Sequence, residues 1–303
     1  MSDVAISVRG LRKSYGEHEA VAGIDFEVAS GEVFGFLGPN GAGKTTTIEI
    51  LEGYRERSGG EVSVLGLDPA RPTREWRNRV GLVLQECELE PLMTVREAVA
   101  LFAGFYGAPR PIEETIEVVG LQDKRGERIG TLSGGQKRRV DVALGLVGDP
   151  ALIFLDEPTT GFDPSARRDS WNMIADLKAL GKTVFLTTHY LDEAQHLADR
   201  VAILRQGRIV AQGRPGELGE GLGRRTVIAF SPDGLGLEEV RDAVGGPVQT
   251  AGEELKIESE RPQADLFALL QLAERRGAQL RELEVRRPSL EDVFLDLAGE
   301  GQP

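Results

Sequence analysis

Apolar and polar residues alternate over Val4 to Val8 and again over Ala20 to Val28, with many β-branched and aromatic types, as in strands that bury one face. Val33 to Leu37 is almost continuously apolar, which predicts a central strand covered on both sides. It runs into a Gly-rich turn and then into Thr-Thr-Thr-Ile-Glu-Ile-Leu, a helical start. Glu61 to Leu67 and Val80 to Gln85 read as further strands; Thr94 to Phe105 and Ile112 to Val119 carry apolar residues at helical spacing. Val140 to Val147 continues the helical middle, and Asp149-Pro150 breaks it. Then come an apolar strand (Ala151 to Leu155), a helix (Ser165 to Leu180) ending at Gly181, a strand (Thr183 to Thr187) and a helix (Tyr190 to Ala198). This repeated β-then-α order predicts a largely parallel α/β sheet, and Val201 to Arg205 with Arg208 to Ala211 reads as a hairpin across Gln206-Gly207.

Between Gly213 and Arg225 the chain turns Gly-rich and polar, which marks a boundary. The expected division is residues 1–215, with a helical part at about 86–150, and residues 216–303. Beyond the boundary the pattern is strand (Thr226 to Phe230), helix (Leu237 to Val244), strand (Val248 to Ala251), strand (Leu255 to Ser259), helix (Ala264 to Arg276) and strand (Gln279 to Val285). That βαββαβ order is typical of small α+β ferredoxin-like modules. A final helix, Leu290 to Ala298, is expected behind Ser289 as N-cap.

The 303 residues favour two domains, and 40% hydrophobic with 28% charged residues fits a folded, non-fibrous chain. A formal net charge of -13 repels phosphate backbones, so nucleic acid is not an expected partner. Every apolar run is interrupted well short of the roughly 18 residues needed to span a bilayer. The single cysteine, Cys87, permits no internal disulfide and reads as a small buried hydrophobe.

Against this acidic background, Gly38-Pro39-Asn40-Gly41-Ala42-Gly43-Lys44-Thr45 matches G-x-x-x-x-G-K-[ST] between a strand and a helix, the context a phosphate-binding loop requires. Glycines let backbone N–H groups converge, the helix N-terminus adds positive potential, Lys44 reaches the terminal phosphates and the Thr45 hydroxyl can ligate Mg²⁺. At the end of an apolar strand, Asp156 would hold Mg²⁺ through water. Glu157 is aimed separately, toward water attacking the γ-phosphate, because adjacent strand residues face opposite ways.

Leu132-Ser133-Gly134-Gly135-Gln136 narrows the choice among P-loop enzymes. Alone, Ser-Gly-Gly is a loop with a helix cap, although it can also leave backbone open to a phosphate. With it the chain resembles the ATP-binding-cassette family from about Val4 to Gly213. The resemblance implies a P-loop ATPase fold with a mixed sheet core, an antiparallel β subdomain and a helical subdomain, which binds ATP and Mg²⁺. It also implies a dimer, homodimeric or paired with another ATPase, in which Ser133, Gly134, Gly135 and Gln136 of one subunit face the ATP held by Gly38 to Thr46 of the other. Gln85 resembles the glutamine that approaches Mg²⁺ and the attacking water, His189 the switch histidine at the γ-phosphate, Asp163 the aspartate that crosses the interface, and Tyr15 the aromatic that stacks on adenine. His18 and His196 have no motif context and read as surface or packing residues.

Thr160-Gly161-Phe162-Asp163 departs from the usual Ser-Ala-Leu-Asp. With the ending Pro288-Ser289-Leu290-Glu291-Asp292-Val293-Phe294-Leu295, it resembles the branch that serves daunorubicin-resistance-type drug exporters. That likeness implies an ATPase at the cytoplasmic face of the membrane, working with a separate transmembrane permease. The C-terminal module is expected to add dimer surface or regulation, without chemistry of its own. A cassette ATPase acting in translation or DNA repair is the competing reading, but no paired cassette, long coiled-coil insertion or zinc site is evident. A kinase or GTPase leaves Leu132 to Gln136 unexplained, and Asn40, Asn78 and Asn172 are none of them followed by Lys-x-Asp.

Overall fold

A computed structural model describes residues 4–83, 89–218, 225–252, 254–286 and 290. The chain divides into two compact units, Met1–Arg214 and Pro215–Pro303.

In the first unit, the β-rich opening forms β1 (Val4–Tyr15) and β2 (His18–Ala29), which join β4 (Gly59–Val64) in an antiparallel sheet of order β2-β1-β4. The expected strand through Leu67 stops at Val64, because Leu65 takes a left-handed φ of 51° and the chain turns back to bond Val64 with Leu67. The second sheet is built from β3 (Val33–Leu37), β5 (Val80–Val83), β6 (Leu152–Asp156), β7 (Thr183–Thr188), β8 (Arg200–Arg205) and β9 (Arg208–Gly213). Its order is β5-β6-β7-β3-β8-β9, parallel throughout except for the antiparallel hairpin β8-β9. The sheet is therefore mixed, as the alternating pattern and hairpin together required.

The apolar strands β3, β6 and β7 are buried on both faces for a visible reason. Phe34, Phe36, Phe154 and Phe185 point toward the antiparallel sheet, where Phe26 completes a cluster with ring centroids 5.5 to 6.1 Å apart. Their strand neighbours Val33, Ile153, Leu155, Val184 and Leu186 face the opposite way, into a second core with the helices α3 (Val95–Ala103), α4 (Ile112–Val118), α5 (Gly134–Leu146) and α6 (Pro164–Ala179). Each fully buried aromatic contributes about 1.5 to 3 kcal/mol of transfer free energy, so the sheet is held from both sides.

Helix α1 (Lys44–Leu51) follows β3 after the loop of residues 38–43 and buries Ile48, Ile50 and Leu51 in the first core. The short α2 (Arg74–Asn78), not evident from the apolar pattern, starts where Thr73 Oγ1 accepts the N–H of Trp76. Helix α7 (Leu191–Leu197) completes the unit.

The second unit contains β10 (Thr226–Pro232), α8 (Leu237–Val244), β11 (Val248–Ala251), β12 (Glu254–Ser259), α9 (Pro262–Arg276) and β13 (Leu280–Arg286). The antiparallel sheet has order β11-β12-β10-β13, so the two central strands are the first and third of the βαββαβ sequence, the ferredoxin-like arrangement. Its core is Ile228, Phe230, Val240, Leu255, Ile257 and Leu269 with their neighbours. The expected helix Leu290 to Ala298 lies outside the described residues except for Leu290, which is buried.

Candidate functional site

The loop between β3 and α1 is shaped by close approaches that exclude side chains. Gly43, at φ 106°, would bring a Cβ within 2.4 Å of the Ala20 carbonyl oxygen, and Gly38 would bring one equally close to the Leu204 oxygen. The backbone can then curl so that the first turn of α1, whose N–H groups have no partner inside the helix, faces a cavity of about 670 Å³. Lys44 lies at that turn, only 5% exposed. Its Nζ donates to Gly38 O at 2.8 Å and Pro39 O at 3.3 Å, and stands 3.5 Å from Glu157 Oε1. Burial lowers the Lys44 pKa, and the nearby Glu157 and Asp156 carboxylates oppose that shift.

At the end of β6 the acidic pair is divided by a turn rather than by strand alternation, because the strand stops at Asp156. The Thr187 hydroxyl donates to the Asp156 carboxylate, and the Asp156 carbonyl accepts from Arg138 Nη2 at 3.0 Å. Burial raises the Asp156 pKa, with repulsion from Glu157 adding to it. Glu157 takes a left-handed φ of 44°, and its N–H donates to Thr187 Oγ1 at 3.1 Å. Its Oε2 accepts from Thr160 Oγ1 at 3.0 Å and lies 3.3 Å from His189 Nδ1. Burial pushes this carboxyl upward, but the Thr160 bond, Lys44 and His189 together outweigh it and leave the pKa below the usual value.

Tyr15, Asn40, Gly41, Gly43, Lys44, Thr45, Thr46, Glu157 and His189 thus line one cavity. Gly38 and Pro39 contribute carbonyls to Lys44, and Ala42 packs beneath the loop. The exposed Tyr15 ring has Lys13 Nζ at 5.1 Å and the Arg55 guanidinium at 5.5 Å. His18, read from sequence as a surface or packing residue, also lines this cavity, at its exposed side. Thr187 and Arg138 had no motif to announce them; strand pairing and helix packing bring them to the acidic pair, whereas Thr160 reaches Glu157 through the turn that follows it. His196 stacks on Trp171 at 4.9 Å, away from the cavity.

A second cavity, of about 530 Å³, gathers Ser133, Gly134, Gly135, Gln136 and Asp163 with the cations Lys124 and Arg139. Ser133 is the N-cap of α5: its Oγ accepts the Gln136 N–H at 3.3 Å, and Gln136 Oε1 accepts the Ser133 N–H at 3.0 Å. The Gln136 side chain is therefore engaged in a capping box. Asp163 caps α6, accepting the N–H groups of Ser165 and Ala166 at 2.9 Å. Neither Asp163 nor any of Ser133 to Gln136 lines the Lys44 cavity. Gln85 lies outside the described residues.

The ABC transporter family profile matches residues 21–160, and that of an ABC transporter-like C-terminal domain matches residues 226–289. A Nod factor export ATP-binding protein I from Rhizobium sp. (strain N33) is 41% identical over 99% of this chain and 98% of its own length. The protein of the same name from Bradyrhizobium diazoefficiens is 40% identical over the same shares. The chain belongs to the ATP-binding-cassette family. An ATP-binding cassette of an ABC transporter, solved in its ADP conformation, superposes with a TM-score of 0.66 at 26% identity, over 73% of this chain and 94% of that one. A subunit of a Clostridium perfringens ABC transporter complex superposes at 0.64 with 27% identity, over 73% and 92%. As a member of this family the chain is an ATP-binding subunit and an ATPase.

Proposed function

We propose that this cassette is the energising subunit of a membrane exporter, and that the molecules exported are drugs, antibiotics or lipid-like compounds. The observation that carries the catalytic part is the cavity in which the Gly38 to Thr46 loop, Glu157 and His189 meet. Export is supported by relatives named Nod factor export ATP-binding protein I over nearly the whole chain. Among the described residues no helix is long and apolar enough to cross a membrane, so the path for the exported molecule belongs to a separate transmembrane permease. The cassette then works at the cytoplasmic face.

The donor set fits an ATP-bound Mg²⁺. Thr45 lines the cavity beside a glycine cradle, and the Asp156 carboxylate, steadied by Thr187, lies at the end of β6, one strand beyond the neighbour of β3. Mg²⁺ binds through one or two such groups together with phosphate oxygens and water. Bound there, the ion would neutralise charge on the phosphates. Thr45, Asp156 and Gln85 would hold it, and Tyr15 would stack on the adenine. Lys44 reaches the β- and γ-phosphates once its bonds to Gly38 and Pro39 are exchanged.

Glu157 accepts the proton of the attacking water, and its lowered pKa keeps it ionised for that role. His189, beside Glu157 Oε2, contacts the γ-phosphate. The separate Ser133 to Gln136 cradle lies at a helix N-terminus of its own, which suits the γ-phosphate of ATP held by a second subunit. Two ATP molecules would then be enclosed between two subunits, with Asp163 at the seam.

The test is Glu157→Gln. ATP binding is retained, hydrolysis falls about 100- to 10,000-fold, and a closed dimer accumulates in size-exclusion chromatography with ATP. Hydrolysis near the parental rate would overturn the role of Glu157.

A further inference from the structure

Glu193 lies in the first turn of α7, just past His189, wholly buried and outside the lining of the Lys44 cavity. A carboxyl buried this deeply is costly unless its neighbours bond it. Trp171 Nε1, from α6, donates to Glu193 Oε1 at 3.3 Å. Burial raises the Glu193 pKa, and the hydroxyls of Thr188 and Thr159, both buried themselves, oppose that shift together with the indole N–H.

Those two threonines belong to the segments that carry His189 and Glu157. Thr188 ends β7 and is followed directly by His189. Its hydroxyl oxygen accepts the Tyr190 N–H at 3.0 Å, which leaves the hydroxyl proton for Glu193. Thr159 lies in the turn after β6, between Glu157 and Thr160, whose Oγ1 donates to Glu157 Oε2 at 3.0 Å. That turn is closed by the Thr160 N–H on Glu157 O at 3.3 Å and the Phe162 N–H on Thr159 O at 3.1 Å. Among the described residues, Glu193 Oε2 and Thr159 Oγ1 are both buried without an aligned hydrogen bond, so a small shift of the turn would complete a bond between them.

The surrounding frame is firm. Arg167 of α6 lies over the Tyr190 ring at 4.1 Å and stands 3.3 Å from Asp192, and Trp171 stacks on His196. The helix that supplies the indole is therefore fastened to α7 on either side of Glu193.

We propose that Glu193 is a positioning residue for ATP hydrolysis: by engaging Thr159 and Thr188 at once, its carboxyl fixes the turn after Glu157 against the His189 end of β7. The inference rests on the roles given above to Glu157 and His189, and it adds the group that keeps Glu157 Oε2 and His189 Nδ1 3.3 Å apart. A misplacement of roughly 1 Å in such a pair costs about 100-fold in rate. The Gly38 to Thr46 loop, which holds the phosphates, makes no contact through Glu193, so binding and turnover should separate.

The experiment measures kcat, ATP affinity and Tm of the purified full-length chain. Glu193→Leu keeps most of the volume and removes the bonds; kcat should fall about 10- to 100-fold while ATP affinity stays within about twofold of the parent. Glu193→Gln, whose amide can still bond the indole and the hydroxyls, should keep kcat within about threefold of the parent. Thr159→Val, which removes one hydroxyl, should lower kcat about 3- to 10-fold with ATP affinity again unchanged. Parental kcat in Glu193→Leu overturns the inference, as does a loss in which kcat, ATP affinity and Tm all fall together. A Glu193→Gln variant as impaired as Glu193→Leu also overturns it. If Glu193→Leu does not fold, Thr159→Val decides, and parental kcat there overturns the inference. Hydrolysis near the parental rate by Glu157→Gln, measured alongside, would instead overturn the reading of Glu157 itself.

Discussion

Lys44 and Glu52 stand at opposite ends of α1, both almost wholly buried, and their surroundings differ in kind. Lys44 has carbonyl acceptors at 2.8 and 3.3 Å and a carboxylate at 3.5 Å, all from its own chain. Glu52 meets aromatic walls and other negative groups. A buried charge that is already paired is preorganised for chemistry, because the groups that hold it can pass it to a substrate without rebuilding the site. A buried carboxyl without a partner avoids the cost of a buried charge by keeping its proton, as Glu52, pushed up to about 8, does at neutral pH. One helix thus joins a paired buried cation to a buried acid that keeps its proton.

The largest expected effect breaks the paired end. Lys44→Ala removes the cation between Glu157 and the phosphates, and kcat for ATP hydrolysis should fall about 100- to 1,000-fold in a steady-state assay. Gly43→Ala tests whether the curl of the loop is needed, since its Cβ would lie 2.4 Å from the Ala20 oxygen. Destabilisation of about 2 to 4 kcal/mol, seen as a lower Tm, should accompany loss of nucleotide binding.

Glu52→Gln probes the protonated end in the isolated subunit. The folded pKa of about 8 exceeds the ordinary 4.5, so the unfolded chain releases this proton first. Stability of the parent therefore falls as pH rises from about 5 to about 8, whereas Gln stays neutral. The variant should gain about 2 to 4 kcal/mol over the parent near pH 8 and about nothing below pH 4, by urea denaturation at each pH. A pH-independent difference would mean that Glu52 is already ionised and paired in the free subunit. Smallest is Tyr15→Ala, which should weaken ATP binding about 5- to 30-fold by calorimetry and leave kcat at saturating ATP nearly unchanged.

The phosphate loop was legible because its demands are local. A strand, a run of glycines, Lys44 and a helix start occupy about a dozen consecutive residues, and each follows from the one before. Asp156 and Glu157 were legible for the same reason, as carboxylates at the end of an apolar strand. The continuity of Val33 to Leu37 likewise announced a strand covered on both faces, and two packed cores explain it. His18 was not legible: it reaches the cavity only because β2 lies beside the loop, and no spacing in the sequence records that neighbour. Thr187 and Arg138 lie 31 and 18 residues from Asp156 and meet it through sheet register and helix packing. The end of β4 at Val64 was misjudged because apolar Leu65 and Leu67 continue the pattern through a turn.

Local order along the chain settled most elements of the first unit, though not α2 or the end of β4, together with the βαββαβ succession of the second and the residue types that handle phosphate, because each depends on neighbours a few positions away. The ferredoxin-like strand order, the separation of the Ser133 cradle from the Lys44 cavity, and the burial of Glu52 without a counter-charge were decided only by the tertiary structure. Those properties depend on which distant segments exclude water from a given side chain, and that is fixed by packing rather than by sequence distance.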